Sequence, residues 1–176
     1  MTPDTLVYPL HGEQRRPMVP VQLVSTTGQP FAACFAILDT GSYFTYAPAE
    51  IMGQLGVDED MCEPAQYTGL TETLTEGLRS TVDVPVILGG YVIKVRPIFT
   101  PGPAAGYALI LGEEAFRAFD VTISGRRSEV RLDPDPGLQF VGVHRSAEDL
   151  TKIQRAFAET EVIGPDTAID QVRGVH

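Results

Sequence analysis

Short runs of alternating apolar and polar residues, cut by Gly and Pro, fill most of the chain between Met18 and Leu132. That period belongs to strands rather than helices. Met18 to Ser25 (MVPVQLVS) places Val19, Val21 and Leu23 on one face. Thr27-Gly28-Gln29-Pro30 then turns the chain. Phe31 to Leu38 (FAACFAIL) is apolar on both faces, as an interior strand should be. It ends at Asp39-Thr40-Gly41-Ser42. In PAEIMGQLG, Pro48 suits a first helical turn, Ile51 and Leu55 face one way, and Gly56 supplies a left-handed stop. A polar, acidic loop from Asp58 to Pro64 leads to a strand at Gln66 to Leu70. After the Thr/Glu-rich Thr71 to Gly77, a second strand is expected over Leu78 to Leu88, which makes a projecting hairpin with a polar tip.

Gly89-Gly90, between VPVIL and YVIKV, is a two-residue hairpin turn because both positions accept positive φ. Val95 to Phe99 is expected to close that hairpin. PGPAAG is a loop, and Tyr107 to Leu111 is a short buried strand ended by Gly112. Glu113 to Phe119 (EEAFRAF) predicts a two-turn helix whose leading acids suit its positive end. Val121 to Ile123 and Glu129 to Leu132 flank Ser124-Gly125-Arg126-Arg127 as another hairpin. Asp133-Pro134-Asp135-Pro136-Gly137 is the clearest boundary in the chain. Beyond it, Leu138 to Val143 predicts an edge strand. Ser146 caps a C-terminal helix with an apolar stripe at Leu150, Ile153 and Phe157, too short for a coiled coil. The expected organisation is an N-terminal arm (1–17), a mainly β domain (18–134) and a C-terminal extension (135–176) that ends in a mobile tail.

The chain has 176 residues, 43% of them hydrophobic and 20% charged, enough for one soluble domain with its own core. Its formal net charge is −10, and Arg15-Arg16 and Arg126-Arg127 are isolated pairs. Nucleic acid and anionic membrane surfaces are therefore not expected partners. The N-terminal segment lacks the apolar stretch of a secretory signal, so a cytoplasmic location is expected. Cys34 and Cys62 are expected to be free thiols, since two cysteines without nearby histidines do not make a structural zinc site. Asp58, Glu59 and Asp60 crowd together without the ligand spacing or central Gly of a calcium loop. His11, His144 and His176 are scattered, and no metal site is expected.

Three features, in order, resemble the retropepsin family and the wider pepsin-like clan. They are ILDTGS (Ile37 to Ser42), the Gly-bearing hairpin after it, and LILG (Leu109 to Gly112) followed by a short helix and FDVTI. The tetrapeptide alone arises by chance at roughly the one per cent level in a chain of this length, and Asp, Thr and Gly also make ordinary turns. Its placement after an apolar strand and before LILG is what gives it weight.

The resemblance implies a single-domain, retropepsin-like closed β-barrel or sandwich with a flap hairpin and one short helix after LILG. Asp39 would be catalytic, supported by Thr40, Gly41 and Ser42, with Thr40 reaching across a dimer axis. Gly69, Leu70 and Thr71 would form the flap over an extended peptide, and Ile110, Leu111 and Gly112 would lie beneath the catalytic loop. A lone carboxyl cannot act as acid and base together, whereas two held close share a proton and do both. The sequence contains one DTG and no DSG, so the dyad implies a homodimer. The implied function is aspartic endopeptidase activity without metal or organic cofactor. The alternative is a catalytically silent module for dimerisation or peptide binding; a third possibility is a peptidase held inactive by the tail beyond Asp133.

Three departures stand out. Many retropepsins follow LG with Arg or Asp, which ties the helix to the active-site loop; here Glu113-Glu114, expected as helix-dipole partners, stand there. Tyr43-Phe44 follow the motif in place of small or acidic residues, and the flap is polar at Thr71, Glu72, Thr73, Thr75 and Glu76. The usual tie between loop and helix is thus left open.

Overall fold

A computed structural model describes residues 4–13, 15–68, 74–101 and 109–142, with the side chains of 30–33 set aside. Leu6–Pro9 forms β1. Met18–Val24 (β2) and Pro30–Leu38 (β3) follow, joined through a turn in which Gly28 takes φ +85°. Tyr46–Pro48 is β4, Cys62–Thr68 is β5, and Leu74–Ser80 is β6. Val84–Leu88 (β7) and Tyr91–Val95 (β8) meet at Gly89-Gly90, whose φ values of 58° and 93° fit the expected turn. Ile98–Thr100 (β9) and Leu109–Leu111 (β10) precede Glu113–Phe116 (α1), then Phe119–Ser124 (β11) and Glu129–Pro134 (β12).

Among the described residues, nine strands form one sheet in the order β5-β6-β9-β4-β10-β3-β2-β7-β8, and β1-β12-β11 form a second. Pairing is antiparallel except between β10 and β3 and between β4 and β9. The alternation of β2 buries Val19, Val21 and Leu23 as expected, and Cys34 to Leu38 of β3 are all buried in the interior of the large sheet. One core joins both sheets: Val19, Leu23, Leu88 and Val95 pack in the same cluster as Phe119, Val130 and Leu132. At about 1.5–3 kcal/mol for each fully buried aliphatic side chain, this shared core is what attaches the small sheet. The Thr5 hydroxyl and Arg131 Nε both donate to the Asp133 carboxylate, joining the start of β1 to β12. Arg131 first, and Thr5 after it, hold that carboxyl below its ordinary range.

Several boundaries differ from the sequence expectation. The helix expected after Pro48 is a 3-10 turn, Ala49–Ile51, because Pro48 still belongs to β4 and Gly53 weakens any longer helix. Its apolar pair is nonetheless in the core, with Ile51 and Leu55 buried and Gly56 at φ +71°. The acidic loop is shorter than expected. Cys62 already pairs with Ser80, and the ladder runs to Thr68 opposite Leu74. A polar sequence suits this pair because most of β5 is solvated. The strand expected over Leu78 to Leu88 is two strands, parted where the Ser80 hydroxyl donates to the Val82 carbonyl. Of the segment Val95 to Phe99, Val95 closes the Gly89-Gly90 hairpin opposite Val84, and the rest leaves it. Pro97 cannot donate to a ladder, and the chain leaves to place β9 between β4 and β6. The expected two-turn helix shortens to α1, because Phe119 is drawn into β11 as core.

The arm set apart at 1–17 contributes β1. After the turn at Asp135-Gly137, the chain returns to the large sheet, where Gln139 accepts from Val92 N–H and Val141 donates to Gly90. The expected C-terminal helix lies outside the described residues. No described helix is long and apolar enough to cross a membrane.

Leu132→Ala is expected to lower unfolding free energy by about 2–5 kcal/mol in a single transition, measured by denaturant titration. A separate early transition would show that the small sheet is not part of the common core. Both cysteines are free, and burial pushes the Cys34 thiol up to about 12. In native protein at neutral pH, iodoacetamide should label Cys62 and spare Cys34, with both labelled after unfolding, as read by mass spectrometry.

Candidate functional site

Parallel pairing of β10 with β3, Leu109 opposite Ala36 through Leu111 opposite Leu38, brings LILG beside the strand that carries the DTG loop. The ladder extends one bond into that loop, where Asp39 N–H donates to the Leu111 carbonyl at 2.9 Å. Gly41 N–H donates to Asp39 Oδ1 at 3.0 Å, and Ser42 N–H to the Asp39 carbonyl at 3.2 Å. Asp39 is half-buried, while Thr40 and Gly41 are exposed. The sequence points to a Ser42 hydroxyl serving the Asp39 carboxylate. Its single proton instead goes to the Phe44 carbonyl at 3.0 Å, which tightens the loop on itself.

The far end of the loop rests on the start of α1. A helix begins with amides that have no intrahelical acceptor. Here Glu113 N–H donates to the Ser42 carbonyl at 2.8 Å and Glu114 N–H to the Tyr43 carbonyl at 3.1 Å. Gly112 lets the two segments touch: a Cβ there would stand 2.2 Å from Phe44 O and 2.7 Å from the Tyr43 carbonyl carbon. The glycine that closes LILG is thus required by backbone proximity. Its own φ of −87° is open to any residue.

Thr45 closes the loop and is fully buried. Its carbonyl accepts from Ile98 N–H at 2.8 Å, its hydroxyl accepts from Gly112 N–H at 3.4 Å, and its own N–H donates to Glu114 Oε1 at 3.0 Å. Leaving such an amide unpaired would cost about 1–3 kcal/mol. Glu114 therefore makes the tie that the departures at 113–114 leave open in the sequence. The signal was the pair of acids immediately after LILG, since a carboxylate one residue into α1 can turn back onto the loop it follows. Thr45 carried no sequence signal beyond its place between two apolar segments.

The aromatic pair after the motif is held from two sides. Arg117, at the C-cap of α1, lies 5.0 Å above the Tyr43 ring and donates to its hydroxyl. Arg79 of β6 lies 4.7 Å above the Phe44 ring, and the two rings meet edge to face at 4.9 Å. The tip end of β5 stands beside β4, which follows the loop: Tyr67 packs against Tyr46 with ring centroids 5.2 Å apart. Burial, then the neighbouring Tyr46, raises the Tyr67 hydroxyl pKa, against hydrogen bonds with Thr100 and Thr75. Gly69, Leu70 and Thr71, expected at the tip, lie outside the described residues. A cavity of about 300 Å³ lies behind α1, between Val92, Lys94, Ala118 and Leu138, and no residue of 39–45 lines it. No cluster of three His, Cys, Asp or Glu suited to a metal occurs among the described residues.

No protein-family model matches the chain, and no curated protein matches it in sequence. Its structure matches a retropepsin-like aspartic protease from Rickettsia conorii with a TM-score of 0.51 and 12% identity, over 75% of this chain and 93% of that one. The fold is retropepsin-like. At that identity the likeness carries the architecture, and the roles of residues in the retropepsin-like frame rest on local geometry.

Gly112→Ala is expected to destabilise the protein by at least ~2 kcal/mol and to displace the 43–45 backbone, whereas Gly53→Ala, with nothing within 4 Å of its Cβ, should be within ~0.5 kcal/mol of wild type. Equal thermal shifts for the two variants would contradict the close approach.

Proposed function

We propose that this chain is an aspartic endopeptidase that works as a homodimer, its catalytic dyad made from one Asp39 of each copy. What carries the proposal is the position of Asp39 in a retropepsin-like fold. It stands at the end of an interior strand, seated on β10 by its own amide and approached through its carboxylate by Gly41 N–H. One DTG per chain makes the second copy necessary.

Two carboxyl groups brought together share one proton and titrate as a pair. The ionised member takes a proton from water, which attacks the scissile carbonyl; the protonated member gives its proton to the carbonyl oxygen as the tetrahedral intermediate forms. Collapse of that intermediate protonates the amide nitrogen and releases the two product chains. The chemistry calls on water and two carboxyl groups alone. Gly41 helps fix the Asp39 carboxylate, Ser42 closes the loop on Phe44, and exposed Thr40 is free to meet its copy across the two-fold axis. Ile110, Leu111 and Gly112 form the seat of the loop. The hairpin of β5 and β6, with Gly69, Leu70 and Thr71 at its tip, covers an extended peptide and offers it strand-like hydrogen bonds. The peptidase unit we assign spans 18–134, with β1 packed onto it and an extension from 135.

Cleavage of a diverse peptide library by purified protein, between acid and neutral pH, is expected to fall by roughly 10²–10⁴-fold in Asp39→Asn and Asp39→Ala. Sedimentation should show the same dimer in all three proteins. Cleavage that persists in either variant overturns the dyad. A stable dimer that binds peptides and cleaves none would make the chain a peptide-binding module instead.

A further inference from the structure

We infer that Glu114 is a positioning residue for the Asp39 loop, acting through the buried amide of Thr45; this rests on the peptidase reading of Asp39. The loop is anchored at its first residue by the Leu111 carbonyl and at its last by Glu114 Oε1, 3.0 Å from Thr45 N. Between those anchors, Thr40, Gly41 and Tyr43 are exposed, so the solvent face of the loop offers little restraint. The other contacts from α1 to the loop, at Ser42 and Tyr43, are made by backbone amides that any residue but proline at 113 or 114 would supply. The carboxylate on Thr45 is the one contact to the loop backbone that depends on which side chain stands at 114.

The geometry separates this acceptor from Arg117 at the C-cap of the same helix. Arg117 reaches the loop too, but through exposed Tyr43, whose relative exposure is 47%, so water can replace what it gives. Thr45 is fully buried, and water has no comparable access to its N–H. A dyad needs both carboxyls held within hydrogen-bonding reach across an axis, so a small drift of the loop should cost turnover more than binding. The requirement is an acceptor at that point, and a neutral amide oxygen of the same length should serve.

The test uses the full chain with Glu114→Ala, Glu114→Leu, Glu114→Gln and Arg117→Ala. Amide hydrogen exchange at Thr45 is followed by NMR, alongside kcat and KM on a cleaved peptide. In Glu114→Ala, exchange should quicken by ~10-fold or more, and kcat should fall by ~10-fold or more with KM within ~2-fold. Glu114→Gln should restore both to within ~3-fold of wild type, and Arg117→Ala should leave kcat within ~2-fold. Should Glu114→Ala fail to fold, Glu114→Leu, which keeps the volume and lacks the acceptor, is expected to behave in its place. Unchanged exchange at Thr45 overturns the inference, as does quickened exchange with wild-type kcat, or a Gln variant as impaired as Ala. Exchange reads the tie whether or not the protein cleaves peptides. Fast exchange in Glu114→Ala without any Asp39-dependent cleavage in wild type would defeat the peptidase reading and the positioning role, while sparing the tie itself.

Discussion

The backbone of residues 39–45 belongs to no ladder of its own, and its place is set mainly by hydrogen bonds to the segment 111–114. The Leu111 carbonyl takes the Asp39 amide, and the first amides of α1 take the Ser42 and Tyr43 carbonyls. Each side meets a need of the other, since a helix start has donors to spare and a tight loop has carbonyls with no strand opposite. Contact at this distance requires Gly112, where any side chain would collide with the backbone of Phe44. The pairing of β10 with β3 sets the register, and every group around Asp39 inherits it.

The same loop joins two elements that are remote in sequence. Arg79 of β6 and Arg117 at the C-cap of α1 cover the faces of Phe44 and Tyr43, so the base of the projecting hairpin and the end of the short helix both lean on it. Each such cation–ring contact is worth about 0.5–1 kcal/mol when exposed. Their value here is directional, because they orient two aromatic side chains immediately after the DTG motif. Gly77, opposite Ala65 in the hairpin, lets β9 pass close: a Cβ there would stand 2.8 Å from the Phe99 carbonyl. Hairpin, helix and loop are therefore set by glycines at their crossings and by side chains that fill the gaps between.

Elements defined by one face or one turn were legible in the chain. FAACFAIL reads as an interior strand, Gly89-Gly90 as a tight turn, and Ile51 with Leu55 as one apolar face. Elements whose extent depends on a partner were not. The polar stretch at Cys62 to Pro64 is strand because Leu78 to Ser80 lie opposite it, and Phe119 leaves its helix because its ring is buried in the core. Glu114 showed the same limit at the site. As a sequence letter it was a favourable charge near a helix start, and folding made it the acceptor for a buried amide.

What the sequence determined by itself was the strand-rich architecture and the chemistry on offer: one DTG behind an apolar strand, and LILG to lie beside it. Period and glycine placement act locally, so they can be read without knowing what lies across the sheet. The tertiary structure alone decided how the loop is held, through Thr45 and Glu114, and how the Phe44 and Tyr43 rings are covered, by Arg79 and Arg117. Those contacts join residues far apart in the chain, and a hydrogen bond or ring contact exists only once both partners have been brought to within a few ångströms of each other.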